Sequence, residues 1–179
     1  MLKKIALVLV GLIALLLIYA TTRPGEFRVE RRIDIKAPPD KIYPLLADFH
    51  RWAEWSPWEQ LDPAMKRTFS GAPADKGAIY EWKGNSDVGQ GRMEVTSTTA
   101  PTRVIIKLDF IEPFEGHNTA DFSITPSGDS STSTVLWAMY GPMPYVSKLM
   151  SVFVSMDSLI GKDFEKGLAQ LDRAVTKAP

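Results

Sequence analysis

Cysteine is absent from this 179-residue chain. Disulfides, thiolate nucleophiles and cysteine metal sites are therefore excluded. Histidine is scarce: only His50 and His117 occur, with no histidine pair at metal-ligand spacing. Neither sign of charge is in excess, with 21 basic and 21 acidic residues. Leaving out Lys3 and Lys4, which precede the folded part, 19 basic residues face 21 acidic ones, a net of −2. Nucleic acid asks for a basic patch or stripe, so that class of partner is not expected. HExxH, Gly-x-Ser-x-Gly, a phosphate loop and a dinucleotide fingerprint are all missing. Gly89-Gln90-Gly91 has two glycines only and reads as part of a hairpin. The expectation is a domain with no metal and no cofactor.

One long apolar run is present. Lys3-Lys4 precedes an uninterrupted stretch from Ile5 to Ala20. Its 16 residues reach about 24 Å as a helix, short of a ~30 Å hydrocarbon core, and Met1, Leu2, Thr21 and Thr22 would extend it. Two readings stay open: an uncleaved anchor, and a secretory signal cut near Ala20. A signal site prefers small-x-small, and Ile18 stands two residues before Ala20, which favours the anchor. Both readings put the domain on the exported side, periplasmic or extracellular. The basic tail would stay inside, a bias weakened by Arg23, Arg28, Arg31 and Arg32 just beyond the run. The chain divides into a membrane or signal segment over 1–22, a linker over 23–26 containing Pro24-Gly25, and one domain over 27–176.

Three of the five tryptophans, Trp52, Trp55 and Trp58, fall within seven residues. Each buries roughly 150–250 Å², as a core plug or rim, or as the wall of an apolar pocket. Around them the chain alternates. Phe27 to Ile35 has one wet and one dry face, and Ala37-Pro38-Pro39-Asp40 ends it. A helix opens at Pro39 or Asp40, with Ile42, Leu45, Leu46 and Phe49 at helical spacing. Strands follow over Lys66–Gly71, Ala78–Lys83, Gly89–Ser97, Arg103–Ile111, His117–Pro126 and Ser131–Tyr140, joined by turn-forming stretches. From Pro144 an apolar stripe of Leu149, Phe153, Met156, Ile160, Phe164, Leu168, Leu171 and Val175 marks a long amphipathic helix. Gly161 predicts two segments, or a kink between Met156 and Gly161. The stripe is expected to lie over the dry face of a curved antiparallel sheet, an α+β fold. Gly84, Gly89 and Gly91 are placed to allow curvature or close approach.

The resemblance lies in Ile33-Asp34-Ile35-Lys36-Ala37-Pro38, Phe49 to Trp58, Tyr80 to Asn85, Val88 to Met93, Val135 to Gly141 and Gly161 to Leu168. With these segments the chain resembles the SRPBCC or START-like superfamily, and within it the bacterial polyketide cyclase/dehydrase-type members. The resemblance implies the helix-grip fold: about seven strands wrapped on a long C-terminal helix, with two short helices after the first strand. It also implies an apolar cavity between sheet and helix. It names no ligand, because the superfamily includes lipid carriers, hormone binders and cyclases.

Inward parity nominates Tyr80, Trp82, Met93, Phe110, Phe122, Trp137 and Met139 as cavity wall on the strands, and Phe153, Met156 and Ile160 on the helix. Tyr80 and Tyr140 are the obvious pocket hydroxyls. His50 reads as a surface or capping residue, Glu112 and Glu115 as solvated loop carboxylates, and Asp163, Glu165 and Lys166 as the wet face of the last helix. No catalytic constellation is recognisable. The leading expectation is membrane-tethered binding of a hydrophobic or amphipathic small molecule or lipid. A cyclase- or dehydratase-type enzyme and a structural domain with a filled core are the alternatives.

Overall fold

The computed structural model describes residues 1–129 and 131–177. Seven strands form one antiparallel sheet: β1 (Glu26–Ile35), β2 (Lys66–Gly71), β3 (Ala78–Lys83), β4 (Gln90–Thr99), β5 (Arg103–Glu112), β6 (Gly116–Pro126) and β7 (Ser133–Pro142). Their spatial order is β1-β7-β6-β5-β4-β3-β2. The chain thus leaves β1, crosses to the opposite edge, and returns strand by strand until β7 pairs with β1. Alternation sets the faces. Tyr80, Met93, Val95, Val104, Ile106, Phe122, Val135 and Trp137 are buried on the concave side. Register shifts at Gln90/Gly91 and at Val95/Ser97 bend β4 against β5, which increases local twist. Gly91 has the Trp82 ring against it where a side chain would stand.

The crossing is made by a helix and a 3-10 turn lying on the concave face. An α-helix over Pro39–Ala47 follows the N-terminal apolar helix α1 (Leu2–Thr21) and is α2. Pro39 at its start loses no hydrogen bond, because the first N–H groups of a helix are unpartnered anyway. Asp48 then caps a 3-10 helix over Phe49–Glu54, its carboxylate accepting from the His50 N–H at 2.9 Å. The Trp55 indole donates to the Leu45 carbonyl at 2.8 Å and Trp52 to Leu46 at 3.2 Å. Both tryptophans therefore satisfy carbonyls at the open end of α2, and both are buried.

The C-terminal region has two helical segments, α3 (Tyr145–Met150) and α4 (Met156–Lys177). The break lies at 151–155, upstream of the position expected from Gly161, and α4 runs through that glycine. The cause is Ser155, whose hydroxyl accepts from the Ser158 N–H at 3.1 Å and starts a new helix. Gly161 serves packing instead: the Arg31 guanidinium of β1 occupies the space a side chain would need. From there Arg31 reaches Asp157 and Glu165, one turn to either side, at 2.7 Å each. The break also turns Phe153 away from the sheet. It is 70% exposed, so the expectation that it lies over the concave face is corrected. Phe164, Leu168, Leu171 and Val175 of α4 are buried there. The architecture is the α+β helix-grip arrangement.

Candidate ligand cavity

Between the concave face, the Trp52–Met65 segment and α4 lies a cavity of about 230 Å³. That exceeds the ~150 Å³ engineered cavity known to take up benzene. It falls below the ~300–1,000 Å³ usual for drug-sized ligands. The space suits a ring system or a short chain. Seven of the nominated residues line it: Tyr80, Trp82, Met93, Phe110, Trp137, Met139 and Ile160. Trp58, Trp82, Val88, Phe110 and Ile160 are half-buried and form its rim.

Three nominated residues stand elsewhere. Phe122 faces inward but is fully buried behind the wall, with Trp52 and Trp55 edge-on to it at 6.2 and 6.0 Å. Met156 packs at the margin of the core in the first turn of α4 and does not reach the wall. Phe153 is the exposed residue of the break. Tyr140 is also corrected: it lies on the opposite face from Met139, beneath the Arg28 guanidinium at 5.3 Å. The tryptophan trio divides. Trp55 is core, while Trp52 and Trp58 meet the cavity.

The sequence reading missed one polar group. Glu59, in the irregular segment after Trp58, lines the cavity with a side chain only 8% exposed. One carboxylate oxygen accepts from the Tyr80 hydroxyl at 2.7 Å, and the other accepts from Arg67 Nε at 2.7 Å. Arg67 also donates to the Glu59 and Met65 carbonyls, each at 2.9 Å. Burial, then the bond to Glu59, pushes the Tyr80 hydroxyl well above its ordinary value, so it stays a neutral donor. Joined by their hydrogen bond, Glu59 and Tyr80 give an otherwise apolar wall one polar end, and Ser56 also lines the cavity.

The Trp137 indole is 3% exposed. Its ring stacks on Phe164 at 4.1 Å and 9° between planes. Gly167 leaves room for the edge of this ring and for Pro57. Among the described residues, Trp137 Nε1 and Gln170 Oε1 are the buried side-chain polar atoms without a hydrogen-bond partner.

The histidines lie outside the cavity. His50 stacks on Phe69 at 4.2 Å, and His117 Nδ1 meets Asp109 at 2.7 Å on the convex face. Glu115 is exposed beside His117 at 3.3 Å. The bond to Asp109 raises the His117 pKa above its ordinary 6.5. An NMR titration is expected to place the His117 midpoint above 6.5, and Asp109→Asn to lower it. The stability this pair contributes is present below the ordinary value and fades as pH rises through the folded midpoint.

The family profile described as polyketide cyclase/dehydrase and lipid transport matches residues 26–176. Comparison with curated proteins finds no match. Several solved structures share the fold. A protein from Thermobifida fusca is 21% identical over 84% of this chain and 93% of its own, with a TM-score of 0.60. A protein from Mesorhizobium loti is 15% identical over 86% of this chain and 99% of its own, also at 0.60. The Aha1 dimer from Colwellia psychrerythraea is 16% identical over 83% of this chain and 96% of its own, at 0.59. At such identities the likeness is one of fold. By the match to its profile across the whole β-sheet and α4, the chain belongs to the polyketide cyclase/dehydrase and lipid transport family.

Proposed function

We propose that the domain binds a hydrophobic or amphipathic small molecule in the cavity without turning it over, held at a membrane by α1. The carrying observation is the apolar cavity of about 230 Å³ with Glu59 and Tyr80 at one end. Family membership supports hydrophobic ligands as a class. The polar end adds an orientation. The Tyr80 proton is already donated to Glu59, so what remains there is acceptor capacity, suited to a ligand hydroxyl or amine. The anchor is supported by α1, which is long and apolar enough to cross a membrane and only 6% buried over its apolar window.

A suitable probe is 1-aminoanthracene, which has apolar rings and one amine. Its binding is expected to quench tryptophan emission, because three tryptophans besides Trp137 touch the cavity. Ala120 sits on the wall and is buried. Ala120→Phe fills the empty space, and affinity is expected to fall by at least about tenfold, equivalent to ~1.4 kcal/mol. Unchanged affinity in that variant would place the probe elsewhere.

Glu59 favours a second reading, an enzyme using it as acid or base. The two readings separate on Glu59→Gln. A binder keeps a measurable affinity and shows no turnover in either form. An enzyme retains binding and loses turnover by about 10²–10⁴-fold.

A further inference from the structure

The segment between β7 and α4, with the first turn of α4, carries apolar side chains that none of the described residues covers. Val146 is 66% exposed, Met150 55%, Phe153 70%, Val154 45% and Leu159 55%. Interior packing does not explain them, and exposed apolar side chains clustered within one short segment mark a candidate interaction surface. Three contacts fix where this patch sits. The Tyr145 hydroxyl donates to the Leu17 carbonyl of α1 at 3.0 Å. Arg23, just past α1, donates to the Ser151 hydroxyl at 3.3 Å and to its carbonyl at 3.4 Å. The Met143 N–H donates to the Gly25 carbonyl at 2.7 Å. Thus α3 is fastened beside the last turn of α1. If α1 spans the bilayer, that turn lies at the interface between hydrocarbon and headgroups, the depth at which tyrosine is enriched.

We infer that the α3 segment and the first turn of α4 lie in the surface of the same bilayer that α1 crosses, with Met150, Phe153 and Val154 inserted among the lipids. This rests on the anchor reading of α1. Continuity with α1 selects lipid as the occupant: the patch begins where the membrane helix ends. Arg23 and Lys148 stand at this level, where lipid phosphates would lie. The sheet register gives a second line of argument. Because Glu26 pairs with Pro142 and Gln90 with Glu112, the β3–β4 and β5–β6 turns lie at the same end of the sheet as α3. The β5–β6 turn there presents Phe114, 76% exposed. The cavity rim is at this end as well, since Val88, Phe110 and Ile160 belong to it. Leu159 of the patch adjoins Ile160 of the rim. The cavity mouth therefore faces the lipid surface, and a ligand passes between membrane and cavity without crossing open water.

The cysteine-free chain makes the test direct. Single cysteines are placed by Phe153→Cys, Leu12→Cys and Gly128→Cys in the full chain. Gly128 lies in a turn with open space around it. Each variant carries a nitrobenzoxadiazole label and is reconstituted in phosphatidylethanolamine/phosphatidylglycerol vesicles containing nitroxide lipids. The expected result is quenching of the label at 153 by at least about twofold with a blue-shifted emission, as for an interfacial helix. Strong quenching is expected at 12 and none at 128. A label at 153 that stays unquenched while 12 is quenched overturns the inference and leaves the anchor. A label at 12 that is unquenched, or lost by cleavage, overturns the anchor reading and the inference with it. Excimer emission from pyrene at 153, in place of lipid quenching, assigns the patch to a second copy and overturns the inference.

Discussion

Trp137→Ala is expected to destabilise the domain by about 3–5 kcal/mol, the usual range for deleting a buried large aromatic. The side chain is 3% exposed and stacks on Phe164 at 4.1 Å. Trp55, Trp58 and Phe122 surround it at 5.5, 5.7 and 5.0 Å between ring centroids. It is thus the point where the tryptophan segment, β6, β7 and α4 meet. Removal merges its volume with the existing cavity, so the neighbours gain little by collapsing. Trp137→Phe keeps the stack and removes the unpartnered indole N–H. A buried donor without an acceptor costs about 1–3 kcal/mol, so this milder variant is expected to stay within about 1.5 kcal/mol of the parent. Chemical denaturation of the three proteins in detergent measures both. A loss below about 1.5 kcal/mol for the alanine variant would mean that the stack contributes no core packing.

Glu59→Leu is the second large effect, expected at about 2–4 kcal/mol. The change leaves the buried Tyr80 hydroxyl without its acceptor and the Arg67 Nε without its carboxylate. Losing one partner of a buried charged pair is costly because the other stays desolvated. Arg67 retains two carbonyl acceptors and is 28% exposed, which holds the cost below that of a fully buried pair. Glu59→Gln keeps an oxygen for Tyr80 and should cost less than half as much. Because Glu59 secures the segment carrying Trp58 to β2 and β3, Glu59→Leu also loosens the rim, and 1-aminoanthracene should bind more weakly. Equal melting curves for the two Glu59 variants would show that the charge, not the hydrogen bond to Tyr80, carries the effect.

Parity along the strands was the legible part of the site. A period of two decides which face a residue occupies, and it brought Tyr80, Trp82, Met93, Phe110, Trp137 and Met139 to one cavity. It does not decide how much of that face another element covers. Phe122 has the right parity, but Trp52 and Trp55 lie over it. Parity would also have excluded Tyr140, one residue on from Met139. The helical stripe failed at Phe153 for a related reason. The apolar spacing continues through 151–155, although Ser155 followed by Asp157 and Ser158 is a start signal, with an N-cap hydroxyl and an acidic residue in the first turn. Glu59 had no periodic signal. It sits in an irregular segment, and its partners are 8 and 21 residues away in the chain.

Arg31 ties β1 to α4. Exposed ion pairs are individually worth only about 0–1 kcal/mol, so the two made by Arg31 say little about stability. Their geometry says more. One cation rests in the notch at Gly161, with a carboxylate a turn ahead and another a turn behind. Sliding α4 either way along β1 stretches one of these bonds, and lifting it breaks both. Held in this way at Gly161, α4, which brings Ile160 and Phe164 to the cavity wall, keeps its register with β1. For the ligand binding proposed above, a wall held in register would make selection fall on the cross-section of the entering group more than on its length, as a fixed-gauge channel passes a thin chain and stops a branched one.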